Sequence, residues 1–238
     1  MEKRQQLYSG KAKTVYATDD PNLLIMHYRN DISAFNAQKL ANLERKGLVN
    51  NYFNAYIMQQ LATGGVRTHF EKVLNDHESL MKRLVMLPVE CVVRNIAAGS
   101  LCKRLGIAEG TEFATPIFEF FYKNDALGDP FINECHILAF NWATQADIDE
   151  MKHISLKVNQ ILRPLFAAAG MLLVDFKLEF GRFDNQLLLG DEFTPDGCRI
   201  WDQQTREKMD KDRFRQDLGQ VIDNYEQVAR RLGINLPA

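Results

Sequence analysis

Apolar and ionic positions alternate one for one along residues 174–181, VDFKLEFG, where Val174, Phe176, Leu178 and Phe180 interleave with Asp175, Lys177 and Glu179. Side chains of a strand point to opposite faces in turn, so this pattern predicts a strand with one face in a core and the other ionic. A half-exposed antiparallel strand with a solvated charged face would satisfy the same pattern. LYSGKAKTVYAT (7–18) reads as strand, glycine turn and strand, and LLIMHYR (23–29) as a further strand, so the first part of the chain is predicted to be an antiparallel sheet. Apolar positions near helical spacing predict a helix over 47–65, closed by a glycine pair. LMKRLVMLPVECVVR (80–94) reads as two strands broken at Pro88, and residues 148–170 and 212–233 each read as one long helix. No internal repeat or low-complexity linker interrupts this order, and a subdomain boundary is placed near Met86.

Composition narrows the class. A chain of 238 residues exceeds a usual single domain, and its hydrophobic and charged fractions are those of a soluble globular protein, so two subdomains with a cleft between them are expected. A net charge of -2 and a pI near 6.2 argue against a broad electrostatic grip on nucleic acid and leave small anionic ligands open. The start MEKRQQLYSG has no apolar core of a signal peptide, and the most apolar later stretch is interrupted by Arg163 and Pro164, so neither a secretory leader nor a membrane span is expected and the chain reads as cytoplasmic. Cys91, Cys102, Cys135 and Cys198 have no CxxC spacing and the five histidines are scattered, which points to reduced thiols rather than zinc or a disulfide framework. Cys135 and His136 are neighbours, and neighbours on a strand point apart, which disfavours a nucleophile and base pair.

Two hairpins carry the candidate chemistry. In SGKAK, Gly10 permits a tight turn whose N–H groups approach phosphate, with Lys11 and Lys13 beside it; a surface hairpin with two solvated lysines is the plain alternative. It is not a Walker A loop, because the GxxxxGK[ST] spacing is missing. The second hairpin joins VDFKLEFG to QLLLGDEF through FDNQ. With a three-residue loop at 184–186, Phe183 would pair with Leu187 and Glu179 would lie opposite Asp191; a two-residue turn would put Asp191 on the other face. Two carboxylates within about 5 Å repel unless a cation sits between them. Hard oxygen donors suit Mg2+, which keeps one or two protein carboxylates along with nucleotide phosphates. Lys177 shares that face and could neutralise the carboxylates or reach a phosphoryl or carboxylate oxygen. These residues alone fit a kinase as well as a ligase.

Several further stretches resemble the SAICAR synthetase family of purine biosynthesis. LPVECVVRNIAAGS (87–100) and LVDFKLEFG (173–181) look like its two signature segments; YSGKAKTVY, SAFNAQK, RKGLVNN, KNDALGDP, LGDEFTPDGCRIWD and MDKDRFRQ look like its other characteristic stretches, in the family's order and over nearly the whole chain. The resemblance implies an ATP-dependent ligase that joins L-aspartate to the carboxylate of carboxyaminoimidazole ribonucleotide, giving the succinocarboxamide, ADP and phosphate, with Mg2+ as cofactor. It implies that Gly10, Lys11, Ala12 and Lys13 cover the ATP phosphates, that Val15, Leu24 and Met86 line the adenine pocket, and that Lys123 contacts the nucleotide. Glu179 and Asp191 would organise the metal, with Lys13, Asp175 and Lys177 catalytic. Glu90, Arg94, Ser100 and Arg199 would surround the ribonucleotide, arginine suiting its 5'-phosphate. Ser33, Asn36, Asp129, Lys211 and Arg215 would contact aspartate.

The fold so implied is α+β and ATP-grasp-like: an antiparallel N-terminal subdomain over residues 1–85, a larger α/β subdomain over 86–238, and ATP in the cleft between them. A homodimer or larger homo-oligomer is the family expectation. Ala37 stands where the family more often has glycine, which bears on the loop around Asn36 and not on the reaction class. A kinase would carry HRDxxxxN and a compact Asp-Phe-Gly, both missing, and a non-catalytic nucleotide sensor would not need the second anion pocket of residues 94–100.

Overall fold

The computed structural model describes residues 2–35 and 38–238. Strands β1 (Lys3–Ser9), β2 (Lys13–Thr18) and β3 (Leu23–Tyr28) are followed by a small hairpin, β4 (Asp31–Ala34) with β5 (Lys39–Asn42), then helix α1 (Lys46–Thr63), then β6 (Phe70–Asn75) and β7 (Glu78–Lys82). Five of these strands form an antiparallel sheet ordered β1-β2-β3-β7-β6. The second sheet contains β8 (Val85–Ile96), β9 (Glu112–Tyr122), β10 (Phe131–Ile132), β11 (Met171–Phe183), β12 (Gln186–Gly190) and β13 (Cys198–Asp202), ordered β10-β9-β8-β11-β12 with β13 also on β11. Helices α2 (Ser100–Leu105), α3 (Glu134–Ala139), α4 (Gln145–Ala168), α5 (Asp212–Arg215) and α6 (Val221–Arg231) complete an α+β fold. Among the described residues, no helix is long and apolar enough to cross a membrane.

β11 is the organising strand. Its alternation resolves as expected from Asp175 onward: Phe176, Leu178 and Phe180 are buried in one cluster with Val89, Cys91 and Val93 of β8, Phe53, Ile57 and Leu61 of α1, and Met151, Val158 and Leu162 of α4, whereas Val174, beside a register shift between Leu173 and Asp175, is buried in a separate cluster with Ile96, Ala98 and Trp201. At roughly 1.5–3 kcal/mol per fully buried apolar side chain, that face secures the strand. The opposite face is left to hold buried charges, which are costly to desolvate and bring little stability of their own. β8 lines one edge of β11 from Asp175 to Arg182, whereas the other edge is shared end to end, β13 pairing along its first half and β12 along its second. Segment 191–197 crosses between them, and the Lys177 N–H donates to the Gly197 carbonyl at 3.1 Å.

Three details depart from the sequence expectations. β8 runs through Pro88 instead of breaking there. The register of β8 shifts opposite residues 179–181, and its pairing with β9 ends at Val89, so the missing proline N–H costs no ladder bond. The turn lies instead at residues 83–84. Residues 212–233 form two helices rather than one, because Asp217, Gly219 and Gln220 all take positive φ (55, 69 and 51°). Leu218 there is exposed, so no apolar face keeps that stretch helical, and Arg213 donates to the carbonyls of Lys208, Leu218 and Gly219. Helix α4 starts ahead of its apolar pattern, because Thr144 and Asp147 form a capping box.

Candidate active site

A cavity of about 560 Å³ opens between the first sheet and the ionic face of the second, within the range of small-molecule sites. Residues Gly10, Lys11, Ala12 and Lys13 of the β1–β2 turn, Val15 and Leu24 of the adjoining strands, and Met86 at the start of β8 line one end. Glu90, Arg94, Ser100, Asp175, Arg199, Lys211 and Arg215 line the other, with Lys123, Asp129, Lys177, Glu179 and Asp191 between. Ser33 lies buried in β4 and does not line this cavity. Asn36 and Ala37 lie outside the described residues.

The acidic hairpin differs from its expected register, and the difference is informative. Asp184 and Asn185 both adopt left-handed backbone (φ 48 and 61°), the signature of a two-residue type I′ turn. Phe183 therefore pairs with Gln186, and Glu179 lies opposite Gly190 rather than Asp191. In a continued strand Asp191 would face the core side. Instead the chain leaves β12 at Asp191 itself, with φ 55°, and its carboxylate meets Lys13 and lies 3.5 Å from Lys177 Nζ. The carboxylate directly opposite Glu179 is Glu90 of β8. Lys177 bonds to both, 3.1 Å from Glu90 Oε1, and Lys123 also meets Glu179.

Charge balance explains the protonation states. Burial opposes the charged form of Lys177, but Glu179, Asp191 and Glu90 overcome it and hold the ammonium well above the ordinary lysine range. Lys13 is likewise raised against its burial by Asp191, Glu192 and Glu179. Asp191 is held well below the usual carboxylate range, since Lys13, Lys177 and Lys123 outweigh its desolvation. Glu90 is shifted upward by burial, with Glu179 adding to the effect and Lys177 opposing it. Lys13 and Lys177 are thus fixed cations, not proton acceptors.

At the far end Asp175 Oδ2 accepts from Arg94 Nη1 at 2.9 Å and Arg199 Nη1 at 2.8 Å. Arg94 also donates to Glu119 and, at 3.3 Å, to Ser100 Oγ, while Asp212 accepts from Arg199 Nε at 2.7 Å and from Arg215. Gly99, which precedes α2, has φ 58° and ψ -128°, and a Cβ there would fall 2.3 Å from Arg199 Nη2. Lys211 has its pKa lowered chiefly by burial, with Asp196 opposing the shift. At the surface, Lys11 reaches Asp125 at 2.9 Å, an exposed pair of small energetic worth.

Residues that sequence reasoning missed hold segment 191–197 in place. Lys46, Asn50 and Asn54 recur every fourth residue on α1 and are all buried. Lys46 Nζ lies 2.6 Å from Asp196 Oδ2, Asn50 donates to the same carboxylate at 2.9 Å, and Asn54 accepts from the Phe193 N–H at 2.9 Å. Tyr225 of α6 donates its hydroxyl to Asp196 at 2.8 Å. Polar residues recurring at helical spacing along α1 were the available signal. His69 also lines the cavity, and burial pushes its imidazole down to about 4, so the ring is neutral.

The donor set suits Mg2+. Glu179 and Asp191 offer hard carboxylate oxygens around one lysine, and among the described residues no three-ligand cluster of His, Cys, Asp or Glu forms. A cation there would take its remaining ligands from phosphate and water, which is the habit of Mg2+. Lys13, Lys123 and Lys177 face Glu90, Glu179, Asp191 and Glu192, so the cationic charge is already spent on carboxylates before any phosphate arrives.

Comparison with known proteins gives a consistent set of relatives. A family model described as SAICAR synthetase matches residues 6–232. A phosphoribosylaminoimidazole-succinocarboxamide synthase of Pseudomonas paraeruginosa is 62% identical over 236 residues, 99% of this chain and 100% of its own. The crystal structure of phosphoribosylaminoimidazole-succinocarboxamide synthase from Ehrlichia chaffeensis is similar at a TM-score of 0.95 and 46% identity, covering 98% of this chain and 100% of that one. A SAICAR synthetase in complex with ADP gives 0.94 at 41% identity, covering 98% and 100%.

Proposed function

The chain belongs to the SAICAR synthetase family, and we propose that its cleft joins L-aspartate to the carboxylate of carboxyaminoimidazole ribonucleotide, converting Mg-ATP to ADP and phosphate in purine biosynthesis. One observation carries this reading: β11 threads a lysine-carboxylate cluster at Lys177 and Glu179 and an arginine cluster at Asp175 into one cavity. ATP chemistry and recognition of a second anion therefore share a single strand. That a relative is described in complex with ADP supports an adenine nucleotide as a ligand of this chain.

A carboxylate is a poor acyl donor because its leaving group would be oxide. Transfer of the ATP γ-phosphoryl group to it gives an acyl phosphate, and the aspartate amine then attacks the carbonyl carbon and expels phosphate. Lys13 and Lys177 serve as fixed positive charges beside the transferring group, aimed before the reaction begins. Mg2+, held by Glu179 and Asp191 together with phosphate oxygens, would neutralise charge developing there, a contribution of several kcal/mol. Gly10 to Lys13 cover the phosphates, and Val15, Leu24 and Met86 take the adenine. Arg94, Ser100 and Arg199 receive the 5'-phosphate, with Glu90 beside the imidazole. Asp175 keeps Oδ1 without a protein partner among the described residues, and we assign this oxygen to orienting the incoming amine. Lys211, Arg215 and Asp129 are assigned to the aspartate carboxylates and their surroundings.

We assign residues 1–85 and 86–238 to two subdomains joined beside Met86, and the assembly to a homodimer or larger homo-oligomer, which sedimentation velocity would check. Four free cysteines fit a reducing, cytoplasmic setting. The decisive assay is ADP formation with each of the three substrates omitted in turn, repeated with Glu179→Gln and Lys177→Ala. Turnover requiring all three, and falling at least about 100-fold in both variants, is the expected result. ADP release that ignores aspartate, or variants with wild-type rates, would overturn the assignment.

A further inference from the structure

The turn that brings Asp191 into the cleft is held by a residue outside the ligase chemistry. Segment 67–69 runs beside the end of β12: Thr68 bridges to Leu189, the Leu189 N–H donates to the Arg67 carbonyl, and the His69 N–H donates to the Leu189 carbonyl at 2.9 Å. The His69 carbonyl accepts from the Lys82 N–H at 2.7 Å, immediately before the turn into β8. His69 Nε2 lies 2.7 Å from the Asp191 carbonyl oxygen, and the residue is only 4% exposed. A carbonyl only accepts, so Nε2 must carry the hydrogen, which sets the tautomer.

Asp191 needs such a restraint. A non-glycine residue in left-handed backbone costs of order 1–3 kcal/mol and persists only where its surroundings over-determine it. Relaxing to extended backbone would continue β12 and turn the carboxylate towards the core side. The only hydrogen bond to the Asp191 carbonyl recorded among the described residues comes from His69.

We infer that His69 is a positioning residue whose Nε2–H fixes the left-handed turn at Asp191 and so aims the Asp191 carboxylate at the lysine and metal side of the cleft. The inference rests on the proposed role of Asp191 in holding the divalent cation. It also gives a physical tie between the two ends of the nucleotide site, because the peptide that receives the Lys82 N–H carries the ring that holds Asp191.

The test uses the full chain and four variants: His69→Leu, which removes the donor; His69→Gln, whose amide nitrogen reaches the Nε2 position; His69→Asn, which has the same group but falls short; and Asp191→Asn. Mn2+ binding in the presence of ADP, read by electron paramagnetic resonance, is measured alongside kcat and KM. Loss of an outer-shell partner typically weakens metal binding or activity about 10–100-fold, and that loss is expected for Leu and Asn, with Gln close to wild type. The fall should lie in Mn2+ binding and kcat, with KM for the ribonucleotide unchanged. If His69→Leu does not fold, Gln against Asn decides: equal Mn2+ affinity in the two overturns the inference. Wild-type Mn2+ binding in His69→Leu, or a Gln variant as impaired as Leu, overturns it too. If Asp191→Asn binds Mn2+ as wild type does, the assignment of Asp191 itself is wrong; if Asp191→Asn loses binding and His69→Leu keeps it, only the role of His69 fails.

Discussion

Asp196 is a buried carboxylate whose partners are all supplied from elsewhere in the chain. Burial opposes its ionisation, yet Lys46 and Lys211 outweigh that, and its pKa lies well below the ordinary value. A folded-state pKa below the unfolded value of about 3.9 means that this contribution to stability is fully present above about pH 5 and is lost as the pH falls below 4. Asp196→Asn should therefore cost about 3–5 kcal/mol at pH 7, because it leaves Lys46 buried without its counter-charge. Denaturant titrations should show the gap to wild type narrowing towards pH 3 or so, and a gap independent of pH would contradict the assignment. Gly99→Ala makes a sharper functional case. The added Cβ would collide with Arg199, so the guanidinium must move, and KM for the ribonucleotide should rise about 10–100-fold, the worth of a charge-assisted hydrogen bond, with little change in kcat. Steady-state kinetics reads both. Residue types at the site were legible because charge among apolar neighbours is conspicuous in VDFKLEFG. Lys46 and Asn54 were not, because one polar residue per helical turn resembles a solvated face until burial is known.

At the scale of elements, period was readable and punctuation was not. β11 and α1 follow from alternation and helical spacing, whereas the length of the 184–185 turn, the passage of β8 through Pro88 and the break at residues 216–220 depend on local backbone choices that tertiary pairing decides. The hairpin register shows how an error of one residue propagates: the expected pairing put Asp191 on the ionic face directly, and the molecule reaches that face by turning the chain instead. Asn54 on α1 tests how firmly segment 191–197 is held. Asn54→Leu should cost about 1–3 kcal/mol by leaving the Phe193 N–H buried without an acceptor, and hydrogen exchange at Phe193 should accelerate. Unchanged protection there would mean that the contacts of Lys46, Asn50 and Tyr225 to Asp196 secure the segment without Asn54.

For the whole molecule, the cleft is a seam between two sheets, so ligands should report on global stability. Saturation at 100 times the dissociation constant adds about 2.7 kcal/mol, which for a chain of this size raises Tm by roughly 5–10 °C. Thermal scans with Mg-ATP should show that rise in wild type and much less of it in Glu179→Gln. The seam does not divide the chain into separable halves, however. α1 lies in the N-terminal third of the sequence, yet Phe53, Ile57, Met58 and Leu61 are buried with residues of α4 and α6. Phe53 and Phe166 sit with ring centroids 6.5 Å apart. During translation this helix emerges about 80 residues before α4 begins, a delay on the order of 4–16 s at ordinary elongation speeds. For that interval its apolar face can rest on β8 and on the strands before it but not on α4 or α6, so the core around Phe53 closes only once the second half of the message has been read.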